Sequence, residues 1–333
     1  MSIEAHVTPS ADRPLVSIIV VNFNGKQFLT ECLNSAFDKA FKKYPFEIVV
    51  VDNCSQDGSQ QLLRARPDIT YIESDTNTGF TGGNNLGVRA AKGELVFLLN
   101  NDTRVETCLD PLVDTILESG AGAIGCQLRY ADGRLQFSMG HEHSPWRILL
   151  SWLGLERQAW LPSVFRRMDT RPESYHQQHA SAAWISGAAL LTPRKVWDEL
   201  DGLDEMFFMY CEDVDYCHRV KTHGLEVRYR GDCVITHYEG AGRPWIGTRA
   251  LQNTSRSYFL FLTKHYGLMV ARVTCLALGG VFFARAMAFK LIALKHRSEA
   301  CSKIRADKGS AYKRAAQRLI QSALSGKAPI STG

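Results

Sequence analysis

Three polar clusters stand where runs of apolar residues stop. Asn22-Phe23-Asn24-Gly25 follows Val16–Val21, Asp52-Asn53-Cys54-Ser55-Gln56-Asp57-Gly58-Ser59 follows Ile48–Val51, and Asn100-Asn101-Asp102-Thr103 follows Leu95–Leu99. Carboxylates and carboxamides in such places suit the handling of a nucleotide-diphosphate leaving group, whose growing negative charge is most simply neutralised by a divalent cation. Mg²⁺ and Mn²⁺ choose hard oxygen ligands and are often held by one or two protein carboxylates. Asp102, directly behind a buried strand, suits the cation; Asp52 suits a hydrogen bond to the base or ribose. Taken singly, the clusters have ordinary readings, with Asn24-Gly25 as a turn and Asp57-Gly58-Ser59 as a helix start.

A second acidic cluster, Glu212-Asp213-Val214-Asp215, precedes Arg219. On a helix opening at Glu212, Asp215 and Arg219 stand four apart and pair across a turn, a structural role. Glu212 and Asp213 fall at the helix start, where the dipole favours carboxylates; the functional reading makes Asp213 a general base that takes a proton from an acceptor hydroxyl. His237, after Val234-Ile235-Thr236, is a metal ligand, a phosphate donor or a structural histidine. The run Asn77-Thr78-Gly79-Phe80-Thr81-Gly82-Gly83-Asn84-Asn85 permits close backbone approach to a ligand and opens a helix. It is neither a dinucleotide fingerprint nor a P-loop, and a Rossmann dehydrogenase would place its glycines after the first strand, where only Gly25 stands.

The elements that must position these residues follow from the apolar pattern. Val16–Val21, Ile48–Val51, Ile69–Ile72 and Leu95–Leu99 are Val/Ile-rich without strict alternation, as in strands buried on both faces. Helices are expected between them, near residues 25–43, 58–66 and 82–92, which gives a doubly wound, mostly parallel sheet with ligands at the carboxyl ends of its strands. A hairpin is expected about Asp132-Gly133, then a long irregular stretch from His141 to His179. Order resumes at Ala183–Leu191, followed by an amphipathic segment Arg194–Leu200.

The chain of 333 residues has a formal charge of +5, but the charge is divided. From Lys264 onward 13 Lys/Arg face 2 Asp/Glu, so the preceding body is net acidic and the tail strongly basic. Such a tail points to an anionic surface, membrane before nucleic acid. Leu268–Leu294 is apolar but broken by Arg272, Arg285 and Lys290; its uninterrupted part, Val273–Ala284, is shorter than the roughly 20 residues of a span. It reads as one or two helices lying in or against a membrane, with a buried core helix as the alternative. Nine cysteines without CxxC spacing disfavour a disulfide framework or zinc site and favour a reducing cytosol. The polar N-terminus does not read as a secretory signal.

In order and spacing, Val16–Gly25, Val50–Ser59, Asn77–Gly87, Leu98–Thr103, Trp184–Thr192, Gly202–Arg219 and Ile235–Gly240 resemble the family 2 inverting glycosyltransferases of GT-A fold, particularly their rhamnosyltransferase-like branch. The resemblance covers residues 15–267. Together with the composition, it divides the chain into a polar tail over 1–14, a transferase domain over 15–265 and a helical, membrane-associating extension over 266–333. The transferase domain divides into a nucleotide-sugar half (15–125) and an acceptor half (126–265). Asn100-Asn101-Asp102 stands at the metal-binding DxD motif with its first Asp replaced, leaving Asp102 as the charged ligand and His237 as its partner on Mg²⁺ or Mn²⁺. Asn22, Asn24, Asp52, Asn53, Asn77, Gly79, Asn84, Asn100 and Asn101 are the implied nucleotide-sugar residues. Trp184, Gly187, Ala188 and Glu212 border acceptor and sugar, and Asp213 is the base. The implied reaction moves a sugar, with L-rhamnose from dTDP-rhamnose leading, to a lipid-linked or polysaccharide acceptor in cell-envelope synthesis, at the cytoplasmic face of a bacterial inner membrane. UDP-galactofuranose, UDP-glucose and UDP-N-acetylglucosamine are the alternative donors. A non-catalytic nucleotide-sugar-binding protein, a nucleotidyltransferase and a nucleic-acid binder are the alternatives of other classes.

Overall fold

The structure is a computed structural model that describes residues 13–158, 160–162, 165–166, 173–238, 248–295 and 299–329. Most of the N-terminal tail and the end of the Ile235–Gly240 segment lie outside the described residues. In chain order the elements are β1 (Val16–Asn22), α1 (Lys26–Ser35), β2 (Phe46–Asp52), α2 (Ser59–Arg64), β3 (Thr70–Glu73), α3 (Gly79–Ala90), β4 (Leu95–Leu99), β5 (Thr103–Val105), α4 (Asp110–Ser119) and β6 (Ala123–Arg129). There follow β7 (Leu135–Gln136), β8 (Met139–Gly140), α5 (Pro145–Leu153), α6 (Glu173–His176), β9 (Ala180–Ser181), β10 (Trp184–Ile185), β11 (Ala189–Pro193), α7 (Arg194–Glu199), α8 (Glu212–Thr222) and β12 (Val227–His237). The last three are α9 (Thr248–Tyr266), α10 (Leu268–Lys295) and α11 (Glu299–Ser325).

Two compact units emerge. The first comprises 1–142, 168–205 and 212–239; the second comprises 143–167, 206–211 and 240–333. In the first, the main sheet runs β3-β2-β1-β4-β11-β6-β12-β5. Its first four strands are parallel; β1, β2 and β4 are buried as expected, whereas β3, at the edge of the sheet, is only partly buried, so the doubly buried strand read at Ile69–Ile72 is not found. Beyond β4 it is mixed: β11 is antiparallel to both neighbours, β12 runs parallel to β6, and β5 runs antiparallel to β12. The sheet is therefore less uniformly parallel than the strand–helix alternation of the first third implies. Its core joins Ile18, Val20, Ile48 and Val50 of the central strands to Leu29 and Leu33 of α1 and Leu112 and Val113 of α4. A fully buried side chain of this size contributes about 1.5–3 kcal/mol. Gly87 lets α3 lie directly on the sheet, since a Cβ there would stand 2.6 Å from Ile19 Cγ2.

The second unit is helical and larger than the extension read from sequence, because α5 and α9 pack with α10 and α11 around Leu251, Leu262, Cys275, Leu278, Phe282, Ala315 and Leu319. α5 occupies part of the stretch expected to be irregular. α10 is one continuous helix and, by length and composition, is apolar and long enough to cross a membrane. Its arginines find partners within this unit. Arg272 donates to the Ala323 and Leu324 carbonyls, and Arg285 to the Trp152 carbonyl and Tyr312 hydroxyl. Among the described residues no cysteine forms a disulfide.

Candidate active site

The carboxyl ends of β1, β2 and β4 meet at Asn22. Its Nδ2 donates to Asp52 Oδ2 at 2.9 Å and to Ser55 Oγ at 3.1 Å, while its Oδ1 accepts from Asn101 Nδ2 at 2.8 Å. Three of the polar clusters thus form one hydrogen-bonded edge, as a doubly wound sheet requires. Asp52 is 0% exposed, and its other oxygen accepts the Ser55 N–H. In this arrangement it organises Asn22 and Ser55. Asn24 is exposed in the left-handed region (φ 52°) and accepts the Gln56 N–H. Ser55, which sequence reasoning did not single out, also accepts the Asn24 N–H, fastening this turn to the end of β2.

Behind this edge, Asn53 Nδ2 donates to Asn77 Oδ1 and to the Gly79 carbonyl, and Asn53 Oδ1 accepts from Thr78. Gly79 opens α3 with φ 77°. Asn84 is buried within α3 and turns back to the Phe80 carbonyl. Asn53, Asn77 and Gly79 are therefore brought together, and Asn84 supports the helix that follows them. Asn85 ties α3 to the segment before α8 through reciprocal bonds with the Leu203 backbone.

Asp213 lies in the first turn of α8, with its Oδ2 accepting the Gly187 N–H at 2.9 Å and its Oδ1 the Val214 N–H. A side chain on Gly187 would place its Cβ 3.2 Å from the Phe80 ring and 3.4 Å from Asp213 Cβ. Burial pushes the Asp213 carboxyl above the usual carboxylate range, against the opposite pull of those N–H donors. Glu212 is 6% exposed, and its Oε2 has no hydrogen-bond partner among the described residues. Burial, with the Asp213 charge adding to it, raises the Glu212 carboxyl well above its ordinary value. Asp215 is structural as expected, bridging Arg219 at 2.7 Å. Trp184 is buried, pairs through β10 with β8, and meets the Phe137 ring edge-on. The Ala188 carbonyl accepts the Asn100 N–H, which joins this segment to the end of β4.

Asp102 and His237 face one another. β5 pairs antiparallel with the end of β12, His237 opposite Thr103, and the Tyr238 N–H donates to the Asp102 carbonyl. That ladder sets His237 Nε2 3.2 Å from Asp102 Oδ1 and 3.2 Å from Asn100 Nδ2. Ligands about 2.1 Å from one ion and at right angles to each other are about 3 Å apart, so the pair fits a shared divalent cation. Among the described residues no cluster of three or more His, Cys, Asp or Glu forms a fuller cage. The whole constellation is continuous: Asp213 to Gly187, Ala188 to Asn100, Asn100 to His237, His237 to Asp102.

This fold and this edge define a GT-A nucleotide-sugar transferase architecture. The family model for glycosyl transferase family 2 matches residues 17–190, and the chain belongs to that family. It is 28% identical over 245 residues to the O-antigen biosynthesis protein RfbC of Myxococcus xanthus, covering 71% of this chain and only 18% of that longer protein. It is 26% identical over 242 residues to the N-acetylglucosaminyl-diphospho-decaprenol L-rhamnosyltransferase of Mycobacterium tuberculosis, covering 67% of this chain and 76% of that one. The mannosyltransferase PcManGT of Pyrobaculum calidifontis, solved with GDP-Man and Mn²⁺, superposes with a TM-score of 0.54 at 18% identity, over 95% of this chain and 89% of that one. That likeness is one of fold.

Proposed function

We propose that the chain is an inverting glycosyltransferase that moves a sugar from a nucleotide-diphosphate donor to a lipid-linked or polysaccharide acceptor in envelope glycan synthesis. The observation that carries this reading is the unbroken line of contacts from the Asp213 carboxylate to the Asp102–His237 pair. Asp213 takes the proton of an acceptor hydroxyl as its oxygen bonds to the anomeric carbon, and the bond from that carbon to the diphosphate breaks in the same displacement. Asp102 and His237 would hold a divalent cation, which when bound offsets the charge of the departing diphosphate. Asn22, Asn24, Asn53, Asn77, Gly79, Asn100 and Asn101 shape the nucleotide-sugar side, and Asp52 orders Asn22 and Ser55 beneath them. Trp184, Gly187, Ala188 and Glu212 shape the acceptor side. L-Rhamnose from dTDP-rhamnose is the leading donor, supported by the rhamnosyltransferase relative.

The helical unit supports attachment to the cytoplasmic membrane face. Met269, Val273, Leu276, Phe283, Met287, Leu291 and Leu294 are exposed at spacings of three, four or seven along α10, a continuous apolar stripe. α11 adds Lys303, Arg305, Lys308, Lys313, Arg314 and Arg318. Apolar burial and cationic attraction to anionic lipid together characterise interfacial helices.

A thermal-shift screen of nucleotide sugars with Mn²⁺ tests the donor class, because a ligand bound at 100 times its Kd stabilises the fold by about 2.7 kcal/mol. dTDP-rhamnose is expected to raise Tm most. No response to any nucleotide sugar would refute the transferase reading.

A further inference from the structure

The hairpin at Asp132-Gly133 forms, with Gly133 at φ 82° and Gln136 opposite Leu128 across β6 and β7. Leu128 in turn stands opposite Ile235 of β12. Gln136 therefore sits one strand away from β12, 5% exposed, with its Oε1 3.1 Å from His237 Nδ1. We propose that Gln136 is a positioning residue: it accepts the Nδ1–H of His237 and so locks the imidazole in the tautomer that turns an unprotonated Nε2 toward Asp102.

Two of the ring's three polar neighbours favour that tautomer, and the third, Asp102, opposes it unless a cation is shared. A carboxamide oxygen only accepts, so Nδ1 opposite Gln136 Oε1 must carry the proton. A carboxamide nitrogen only donates, so Nε2 opposite Asn100 Nδ2 must hold a lone pair. The ring is 6% exposed, so water does not readily replace either partner. With Nε2 unprotonated, two acceptor atoms face each other across the 3.2 Å between His237 and Asp102. A cation shared between them turns that repulsion into ligation. A histidine ligand whose other nitrogen donates to a fixed acceptor is oriented and made more basic, and removing such an acceptor typically costs about 10–100-fold in metal affinity. The inference rests on the metal site of the proposed function, but the tautomer is a property of the metal-free chain.

The test uses the full chain. ¹⁵N correlation spectra of metal-free protein at a pH about two units above the usual imidazole value of roughly 6.5 are expected to report His237 as the Nδ1–H form. Mn²⁺ titration followed by electron paramagnetic resonance is expected to show affinity reduced about 10–100-fold in Gln136→Leu, while Gln136→Glu, which keeps an acceptor of equal length, retains both affinity and tautomer. The Glu variant keeps the question answerable if the Leu variant does not fold. An Nε2–H ring in the wild type, Mn²⁺ affinity unchanged in Gln136→Leu, or loss of affinity in Gln136→Glu overturns the proposal. If Asp102→Ala and His237→Ala leave Mn²⁺ binding untouched, the metal site itself fails and this inference with it. If they abolish binding while Gln136→Leu does not, only the role of Gln136 fails.

Discussion

The Gly187 amide donates to Asp213 Oδ2 at 2.9 Å, in a place where any side chain on residue 187 would press on both Asp213 and Phe80. A carboxylate held this way keeps one oxygen oriented by the backbone of the segment between β10 and β11. Asp213→Asn preserves size and one of the two backbone hydrogen bonds but removes basicity. It is expected to reduce turnover about 10²–10⁴-fold with donor affinity nearly unchanged, as measured by product formation and by nucleotide-sugar titration. Near-wild-type turnover would remove Asp213 from the role of base. Because burial raises its pKa, kcat/KM should fall on the acid side through a value above the usual carboxylate 3.8, and that limb should be absent from Asp213→Asn.

Glu212 gives a stability signature of its own. A carboxyl whose folded pKa is raised binds its proton more tightly in the folded state. Its stabilisation is complete below the unfolded value, about 4.5, and is lost as pH rises through the folded value, well above that. Glu212→Gln, which is permanently neutral, should flatten the decline of Tm between weakly acidic and alkaline pH. An identical decline in both proteins would show that Glu212 does not carry it.

Asp102→Ala leaves only His237, at the end of β12, and His237→Ala leaves only Asp102, behind β4. Each should weaken Mn²⁺-dependent donor binding, read by isothermal titration with and without metal. The double variant should lose little more than either single change, because neither residue alone makes a site. Unchanged metal dependence in Asp102→Ala would place the cation elsewhere.

The apolar stripe of α10 makes a prediction about location. The paired change Val273→Glu and Phe283→Glu alters exposed positions outside the helical core. Flotation with anionic vesicles should be lost, while binding of soluble nucleotide sugar persists. Flotation that survives the change would show that the α10 stripe does not carry attachment, and flotation that competing DNA abolishes in the wild type would assign the basic tail to nucleic acid.

The strands and motifs of the first third were legible because they depend on local pattern. Val16–Val21 and Leu95–Leu99 can only be buried on both faces, and polar residues behind them must emerge at one edge. α5 was missed because Trp146, Trp152 and flanking basic residues obscure its period, although Ser144-Pro145 is a usable helix start. β12 was seen only at its last residues. Arg228, Arg230 and Asp232 interrupt an apolar run, yet Val227, Tyr229 and Cys233 are buried in alternation with less buried neighbours, the period-two signal of a strand. Gln136 was not legible at all, because its role exists only once β7, β6 and β12 lie side by side.

That ladder has a consequence for biosynthesis. Asn100 and His237 are 137 positions apart in the chain, and Asp102 meets His237 only through the pairing of β5 with β12. A ribosome-bound chain that has emerged through β6 would already hold the parallel strands and the asparagine-rich edge, but not the imidazole. Long-range pairings of this kind form late, since loop closure must precede them. On the proposed function the Asp102–His237 pair is therefore a completion check: a chain truncated before β12 keeps the residues of the proposed nucleotide side but lacks half of the proposed cation site.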